Sequence, residues 1–407
     1  MRRLLVLAAA LVLVDTMLYA ALTPLLPHFL HEFGLSKSRA GILVAAYAGG
    51  ALVGGFLGGL AATHFGSRRA VLAGLALMGL SSLGFAFADT FWTLSGARLL
   101  QGLGSGFTWS GALAWLLAVA PRDRRGEMLG TAMGAATFGA MFGPVIGAAA
   151  ALAGRGVVFS VLAAVAVALG MWALRLEPAP TEEPSYPAIA RALRNPTFLV
   201  GLMLMTLGAL LFGILGVLGP LHLAHAGWGA AAIGGVWLAG AALETVQAPI
   251  VGRMSDRRGP LLPTRITLVA ATAMSLGLAT SARPLAYVPL IVLAAISYGV
   301  LFTTAFALLA DGAEQVGLPQ GMGFGLMNAA WAAGAVSGPS AAGAIASATG
   351  DWIPFLIAAA LCAGSLVAVR SRATRRIPAT EASLAMPTIG GRAGSAGSTD
   401  NLGVPGA

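Results

Sequence analysis

Of the 15 acidic residues in this 407-residue chain, only Asp15 and Glu244 sit well inside apolar stretches. A charged side chain at the centre of a bilayer costs about 2.5 to 3.5 kcal/mol or more, so such an acid faces a cavity or a partner. Carboxyls placed in this way can take up and release protons in alternation with the binding of a cation. Their structural alternative is a hydrogen bond to a neighbouring helix. Arg98 is a third charge within an apolar stretch. It can hold a carboxylate ionised until a proton or a substrate competes, or it can snorkel from the end of its helix. Trp237, Gly240, Glu244 and Gln247 recur at intervals of three and four and so share one helical face, expected to line a cavity. Trp331, one turn from Asn328, offers a ring face to a cationic substrate, with lipid-facing or core packing as the alternative for both tryptophans.

The elements that must position these residues are membrane helices. With 57% hydrophobic and 10% charged residues and a mean hydropathy of +0.84, the chain departs from soluble proteins, which are about 25% charged. Twelve apolar segments approach the length of about 20 residues that spans a bilayer, from 4 to 26 through 352 to 369. The order Gly126, Gly130, Gly139, Gly143, Pro144 recurs as Gly321, Gly325, Gly334, Gly338, Pro339. A repeat carried by membrane helices points to a transporter whose site lies between two halves. The Pro- and Glu-rich stretch between Arg175 and Arg194 divides the helices six and six. The expected organisation is a six-helix bundle over 1–176, a cytoplasmic linker over 177–195, a second bundle over 196–370 and a disordered cytoplasmic tail over 371–407. Small-xxx-small spacing, as at Gly50, Gly54, Gly58 and at Gly130, Gly134, predicts close helix approach.

Of the 24 basic residues, Lys37, Arg39, Arg155 and Arg283 fall outside and Arg98 within a helix if the N-terminus is cytoplasmic; the others lie inside. Both termini are then cytoplasmic, and topology accounts for the net charge of +9 without nucleic-acid binding. The apolar run after Arg2 and Arg3 continues past Asp15 to Pro24 without a convincing cleavage site, which argues against a signal peptide. Cys362 is the single cysteine, so no disulfide framework, metal site or cofactor is expected. The proline in Asn195-Pro196-Thr197 disqualifies the one glycosylation candidate, favouring a bacterial plasma membrane.

Several motifs carry a resemblance. The stretch from Asp15 through Pro24 to Pro27 resembles helix 1 of the major facilitator superfamily, in particular its twelve-helix drug:proton antiporters and their vesicular monoamine transporter branch. The resemblance implies an all-α membrane protein of major facilitator fold, two six-helix halves with inverted three-helix repeats, and a role for Asp15 in recognising a substrate amine. Arg98-Leu99-Leu100-Gln101-Gly102 is similar to the family's Arg-x-x-Gln-Gly motif, whose arginine is linked to proton coupling. Gly139, Gly143, Pro144 and Gly147 resemble the helix 5 motif that marks antiporters, with Ala148 in place of its final glycine. The proline removes a backbone hydrogen bond, so that helix can bend and seal against its neighbour.

The superfamily's loop motif appears at Gly252, Asp256, Arg257 and Gly259, between helices 8 and 9, and implies a cytoplasmic gate. Its first-half counterpart keeps Gly66, Arg68 and Arg69 but has Thr63 and His64 where the aspartate and arginine belong, so a full charge relay is not expected there. Asn328 stands where the monoamine branch has an acid, and Glu244 is a candidate to replace it from helix 8.

Together these features predict a proton-driven exporter of amphipathic organic cations or drug-like compounds, complete within one chain and acting as a monomer. A carrier of sugars or other neutral or anionic metabolites is the main alternative, but its site would want more hydrogen-bonding groups than the predicted cavity offers. A non-transporting sensor lacks a folded signalling domain in the sequence. An intramembrane enzyme lacks a nucleophile, base and oxyanion grouping.

Overall fold

The computed structural model describes residues 1–121, 125–178, 186–281, 283–318 and 320–374; the expected tail beyond 374 lies outside the described residues. The described chain is helical: α1 (Arg2–Ala20), α2 (Leu22–Phe33), α3 (Lys37–Phe65), α4 (Ser67–Ala86), α5 (Phe91–Val119), α6 (Arg125–Ala153) and α7 (Arg155–Leu174) precede the short α8 (Tyr186–Ala192). Then follow α9 (Pro196–His225), α10 (Ala230–Arg258), α11 (Leu261–Thr280), α12 (Pro284–Gln315), α13 (Gln320–Thr349) and α14 (Trp352–Thr374).

Helices α1 and α2 run on as one span of 32 residues, Arg2–Phe33. The step between them precedes Pro24, which has no N–H to give to the carbonyl of Ala20. Twelve long helical paths result, six on each side of α8. Ten are both long and apolar enough to cross a membrane. The other two, α10 and α13, have 29 and 30 residues, about 44 Å at 1.5 Å per residue. Glycine, alanine and polar side chains dilute their hydropathy.

The helix ends follow local chemistry. Ser36 accepts from the backbone N–H of Arg39, Thr90 and Thr93 form a capping box, and Asn195 accepts from the N–H groups of Thr197 and Phe198 ahead of Pro196. Helices α3 and α10 both stop at a glycine with positive φ, Gly66 at 89° and Gly259 at 76°, a conformation costly for residues with a Cβ. Sequence reading places Gly252 to Gly259 between helices. The structure instead keeps Gly252 to Arg258 on the last two turns of α10, because nothing before Gly259 interrupts the backbone bonding.

Packing repeats between the halves. Gly139, Gly143 and Gly147 of α6 lie against backbone and short side chains of α1 and α2, including the carbonyls of Leu13, Met17 and Ala21, where a Cβ would collide. In the second half, Gly334 and Gly338 of α13 lie in the same way on the carbonyls of Thr206 and Leu210 of α9. Gly139, Gly143 and Gly147, and in the second half Gly334 and Gly338, are therefore the surface on which one helix of each half seats against the first helix of that half. Gly50, Gly54 and Gly58 likewise let α3 approach α5, whereas Gly130 and Gly134 face open space and contribute no such contact.

The halves meet where α3 begins. A Cβ on Gly41 of α3 would strike the carbonyl of Pro339, and one on Gly234 of α10 would press the carbonyl of Pro144. Beside the first contact, the N–H of Ser38 donates to Ser347 Oγ over 3.0 Å and Lys37 pairs with Asp351. This face is the Lys37 end of the bundle, and the opposite face is its Arg68 end.

Candidate functional site

Asp15 sits on the inner face of α1 and is 2% exposed. Its Oδ1 accepts from Tyr47 Oη over 2.8 Å, and its Oδ2 accepts from Ser105 Oγ over 2.9 Å and Trp109 Nε1 over 2.6 Å. Three donors on an acceptor-only group suit the ionised carboxylate. A proton on this carboxyl would make it a donor, and of its three partners only the two hydroxyls could turn to accept, since the indole N–H can only donate. Oδ1, with Tyr47 as its one donor, is the oxygen where that exchange disturbs least.

Arg98 of α5 is 1% exposed, within the bundle and away from the helix end. Its Nη1 donates to the carbonyl of Leu18 over 3.1 Å and to Gln101 Oε1 over 2.7 Å, and its Nη2 donates to the carbonyl of Tyr19 over 3.3 Å. The guanidinium carbon stands 4.7 Å from the centre of the Tyr47 ring, a cation over a π face. Gln101 also donates to Ser82 Oγ over 3.4 Å and is fully buried, so it braces Arg98 inside the first half.

An aromatic chain leads from this cluster to the second half. The rings of Tyr19 and Tyr47 are 5.1 Å apart between centroids, and Tyr19 meets Trp331 of α13 edge-on at 5.4 Å. The structure thus brings Asp15, Arg98, Gln101 and Trp331 into one connected assembly through two tyrosines. Asn328, one turn before Trp331, points its amide nitrogen at Gly55 of α3.

Glu244 lies in the other half and in a different setting. Its carboxyl group rests on Gly299 of α12, where a Cβ would take its place. It makes no hydrogen bond or ion pair among the described residues. Along the same face of α10, Trp237 lays its ring over Gly219 of α9, Gly240 faces Ala295, and Gln247 Oε1 is buried without a hydrogen-bond partner among the described residues. That face is turned to α9 and α12.

At the Arg68 end, Arg68 Nη1 donates to the carbonyl of Leu176 over 3.0 Å and so ties the start of α4 to the end of α7. Arg257 is exposed and lines a groove with Ile250, Arg253, Met254 and Arg258. The side chain of Asp256 lies outside the described residues.

Tyr47, Ser105 and Trp109, the donors to Asp15, are absent from the residues singled out by sequence. A signal existed: Arg98, Gln101, Ser105 and Trp109 recur at intervals of three, four and four, one polar face on an apolar helix. Tyr47 carries no comparable pattern, because its neighbours on α3 are small and apolar.

Residues 7–322 match the model of the Major Facilitator Superfamily. A probable vesicular acetylcholine transporter-B of Danio rerio is 32% identical over 180 residues, 42% of this chain and 36% of that protein. The quinolone resistance protein NorA of Staphylococcus aureus (strain MRSA252) is 30% identical over 107 residues, 26% of this chain and 28% of that protein. The chain thus aligns with only about a third of the length of these curated relatives. A crystal structure of the nucleoside transporter NupG superposes with a TM-score of 0.69 at 17% identity, covering 90% of this chain and 99% of that one. At that identity the likeness speaks for the fold alone.

Proposed function

This chain belongs to the Major Facilitator Superfamily, and from that premise we propose that it is a proton-coupled antiporter exporting amphipathic organic cations or drug-like compounds by alternating access. Membership makes it a multi-pass membrane transporter of small molecules and not an enzyme. The observation that carries the finer reading is one carboxyl inside each half, Asp15 and Glu244, in a bundle with few other interior charges. The names of two relatives add support: acetylcholine is a quaternary ammonium cation, and the other relative is named for quinolone resistance.

In the proposed cycle, Asp15 or Glu244 takes a proton while the site faces outward and loses it to the interior as substrate binds. Exchange of one proton for one monovalent cation moves no net charge and draws on the pH gradient alone. A second proton would add about 2.3 kcal/mol per 100 mV of membrane potential. Closure at the Lys37 end, between α3 and α13 and between α6 and α10, corresponds to the inward-facing half of the cycle. This orientation puts the Arg68 end and both termini in the cytoplasm of a bacterial cell, following the distribution of basic residues. The bundles over 1–176 and 196–370 then act as the two rocking bodies, joined by the 177–195 linker, and one chain suffices for transport.

The test is transport in proteoliposomes under an imposed pH gradient, with a panel of cationic and uncharged fluorescent compounds. Wild-type protein should move cations in a gradient-dependent way, and Asp15→Asn should abolish that movement. Gradient-independent movement of uncharged compounds would sink the antiport reading in favour of a facilitated carrier.

A further inference from the structure

A groove of about 500 Å³ opens at the Arg68 end between α3 and α4, with Phe107 of α5 at its back. Leu57, Leu60 and Phe65 supply its apolar wall, and His64 and Arg69 its polar edge. From Phe65 to Leu57 the wall follows two turns of α3, about 12 Å at 1.5 Å per residue, which suits a segment of acyl chain. The helical bearing of these residues on α3 is away from Gly55, the position that faces Asn328 and the other half. The groove therefore lies on the periphery of the bundle and not on the route between the halves.

The charges at its edge are one-sided. Arg69 is exposed and its guanidinium makes no hydrogen bond or ion pair among the described residues, in contrast to that of Arg68, which is spent on Leu176. From Gly59 to Arg69 the turn region holds His64, Arg68 and Arg69 and no acid. Thr63 occupies the place that Asp256 takes in the second half, and its hydroxyl is turned back onto the carbonyl of Leu60 at 2.8 Å. A cation with no carboxylate partner among the described residues, set at the end of two membrane-spanning helices above an apolar slot, matches a headgroup of net negative charge on a hydrocarbon tail.

We propose that this groove is a binding site for an anionic phospholipid, with the phosphate on Arg69 and His64 and an acyl chain along Leu57, Leu60 and Phe107. Zwitterionic lipids share the phosphate, but their choline carries a compensating cation that finds no acid among the described residues of the groove. The preference thus arises from the missing acid as much as from the arginine. A lipid held there bridges α3 and α4 at the turn around Gly66.

Native mass spectrometry of the full chain, delipidated in detergent and offered phosphatidylglycerol and phosphatidylcholine with identical acyl chains, reads the preference directly. Wild-type protein should retain phosphatidylglycerol over phosphatidylcholine by about fivefold, the effect of one basic residue near a membrane surface. Arg69→Gln and Thr63→Asp should each remove most of that preference, and Leu57→Trp, which fills the slot, should lower retention of both lipids. Melting temperature in detergent is followed in parallel, and Arg257→Gln, in the second-half groove, serves as the control. Equal retention of the two lipids by wild-type protein would overturn the proposal. So would a preference that survives both Arg69→Gln and Thr63→Asp, or one that Arg257→Gln removes in their place.

Discussion

Asp15 and Arg98 are joined through Tyr47, which donates its hydroxyl hydrogen to the acid over 2.8 Å and offers its ring face to the guanidinium at 4.7 Å. No direct ion pair links them among the described residues. One side chain of α3 therefore touches both interior charges of the first half, and α3 is also the helix that meets α13 across the halves. The same ring leans on Tyr19 and through it on Trp331.

This arrangement separates the hydroxyl of Tyr47 from its ring. Tyr47→Phe keeps the ring beneath Arg98 and removes the one donor to Oδ1, so folding should survive while proton coupling suffers. Gradient-driven uptake is expected to fall about tenfold, equivalent to roughly 1.4 kcal/mol, with gradient-free counterflow of substrate retained. Tyr47→Ala removes the ring too, and the loss of a fully buried aromatic is expected to destabilise by about 3 to 5 kcal/mol. Equal loss of uptake and counterflow in Tyr47→Phe would show that the hydroxyl serves structure alone.

Closure of the Lys37 end depends on two glycines facing two prolines, Gly41 on Pro339 and Gly234 on Pro144. The paired serines beside the first contact, Ser38 and Ser347, give a readout. In a Cys362→Ala background, Ser38→Cys with Ser347→Cys should crosslink readily, and adding Gly41→Val should lower the crosslinked fraction severalfold. Gly234→Val should act in the same direction from the opposite seam. Unchanged crosslinking in both would mean that backbone contact at these glycines does not hold the end shut.

The pair of Lys37 and Asp351 sits at the same end with side chains about a quarter exposed, 28% each. Partial exposure limits what it can contribute, and exposed pairs measure about 0.2 to 1 kcal/mol. Lys37→Met or Asp351→Asn should therefore shift the balance between open and closed forms by no more than about fivefold. The exchange Lys37→Asp with Asp351→Lys should restore it. A larger effect from either single variant would assign the pair a role beyond electrostatic bias.

Much of this architecture is legible in sequence because it rests on one-dimensional signals. The repeated glycines and prolines mark α6 and α13, and Asp15, Arg98 and Glu244 stand out because any charge in an apolar run does. Legibility fails where the third dimension decides. Gly139 and Gly130 belong to the same spaced series, yet one bears on the carbonyl of Leu13 and the other faces open space. Tyr47 is an aromatic in an apolar helix until the fold sets it between Asp15 and Arg98. Trp237 and Glu244 share a helical face as their spacing requires, but whether that face meets water or α12 is a property of the bundle.

Glu244 and Asp15 differ in a way that makes them separable by experiment. Asp15 is fixed by three donors, whereas Glu244 has no hydrogen bond among the described residues and is placed by the absence of a side chain at Gly299. A methyl group at position 299 would occupy the space of the Glu244 carboxyl, and that carboxyl, at the end of a flexible side chain, would yield first. If Glu244 exchanges protons in the transport cycle, Gly299→Ala should reproduce most of the loss of coupled transport seen in Glu244→Gln. The double variant should then be no worse than Glu244→Gln alone, because each change removes the same carboxyl from the same place. In a double-mutant cycle the interaction energy would approach the full effect of Gly299→Ala, well above the 0.3 to 0.5 kcal/mol scatter of roughly independent sites. Additive losses would instead place the effect of Gly299→Ala in the packing of α10 on α12, with Glu244 a bystander.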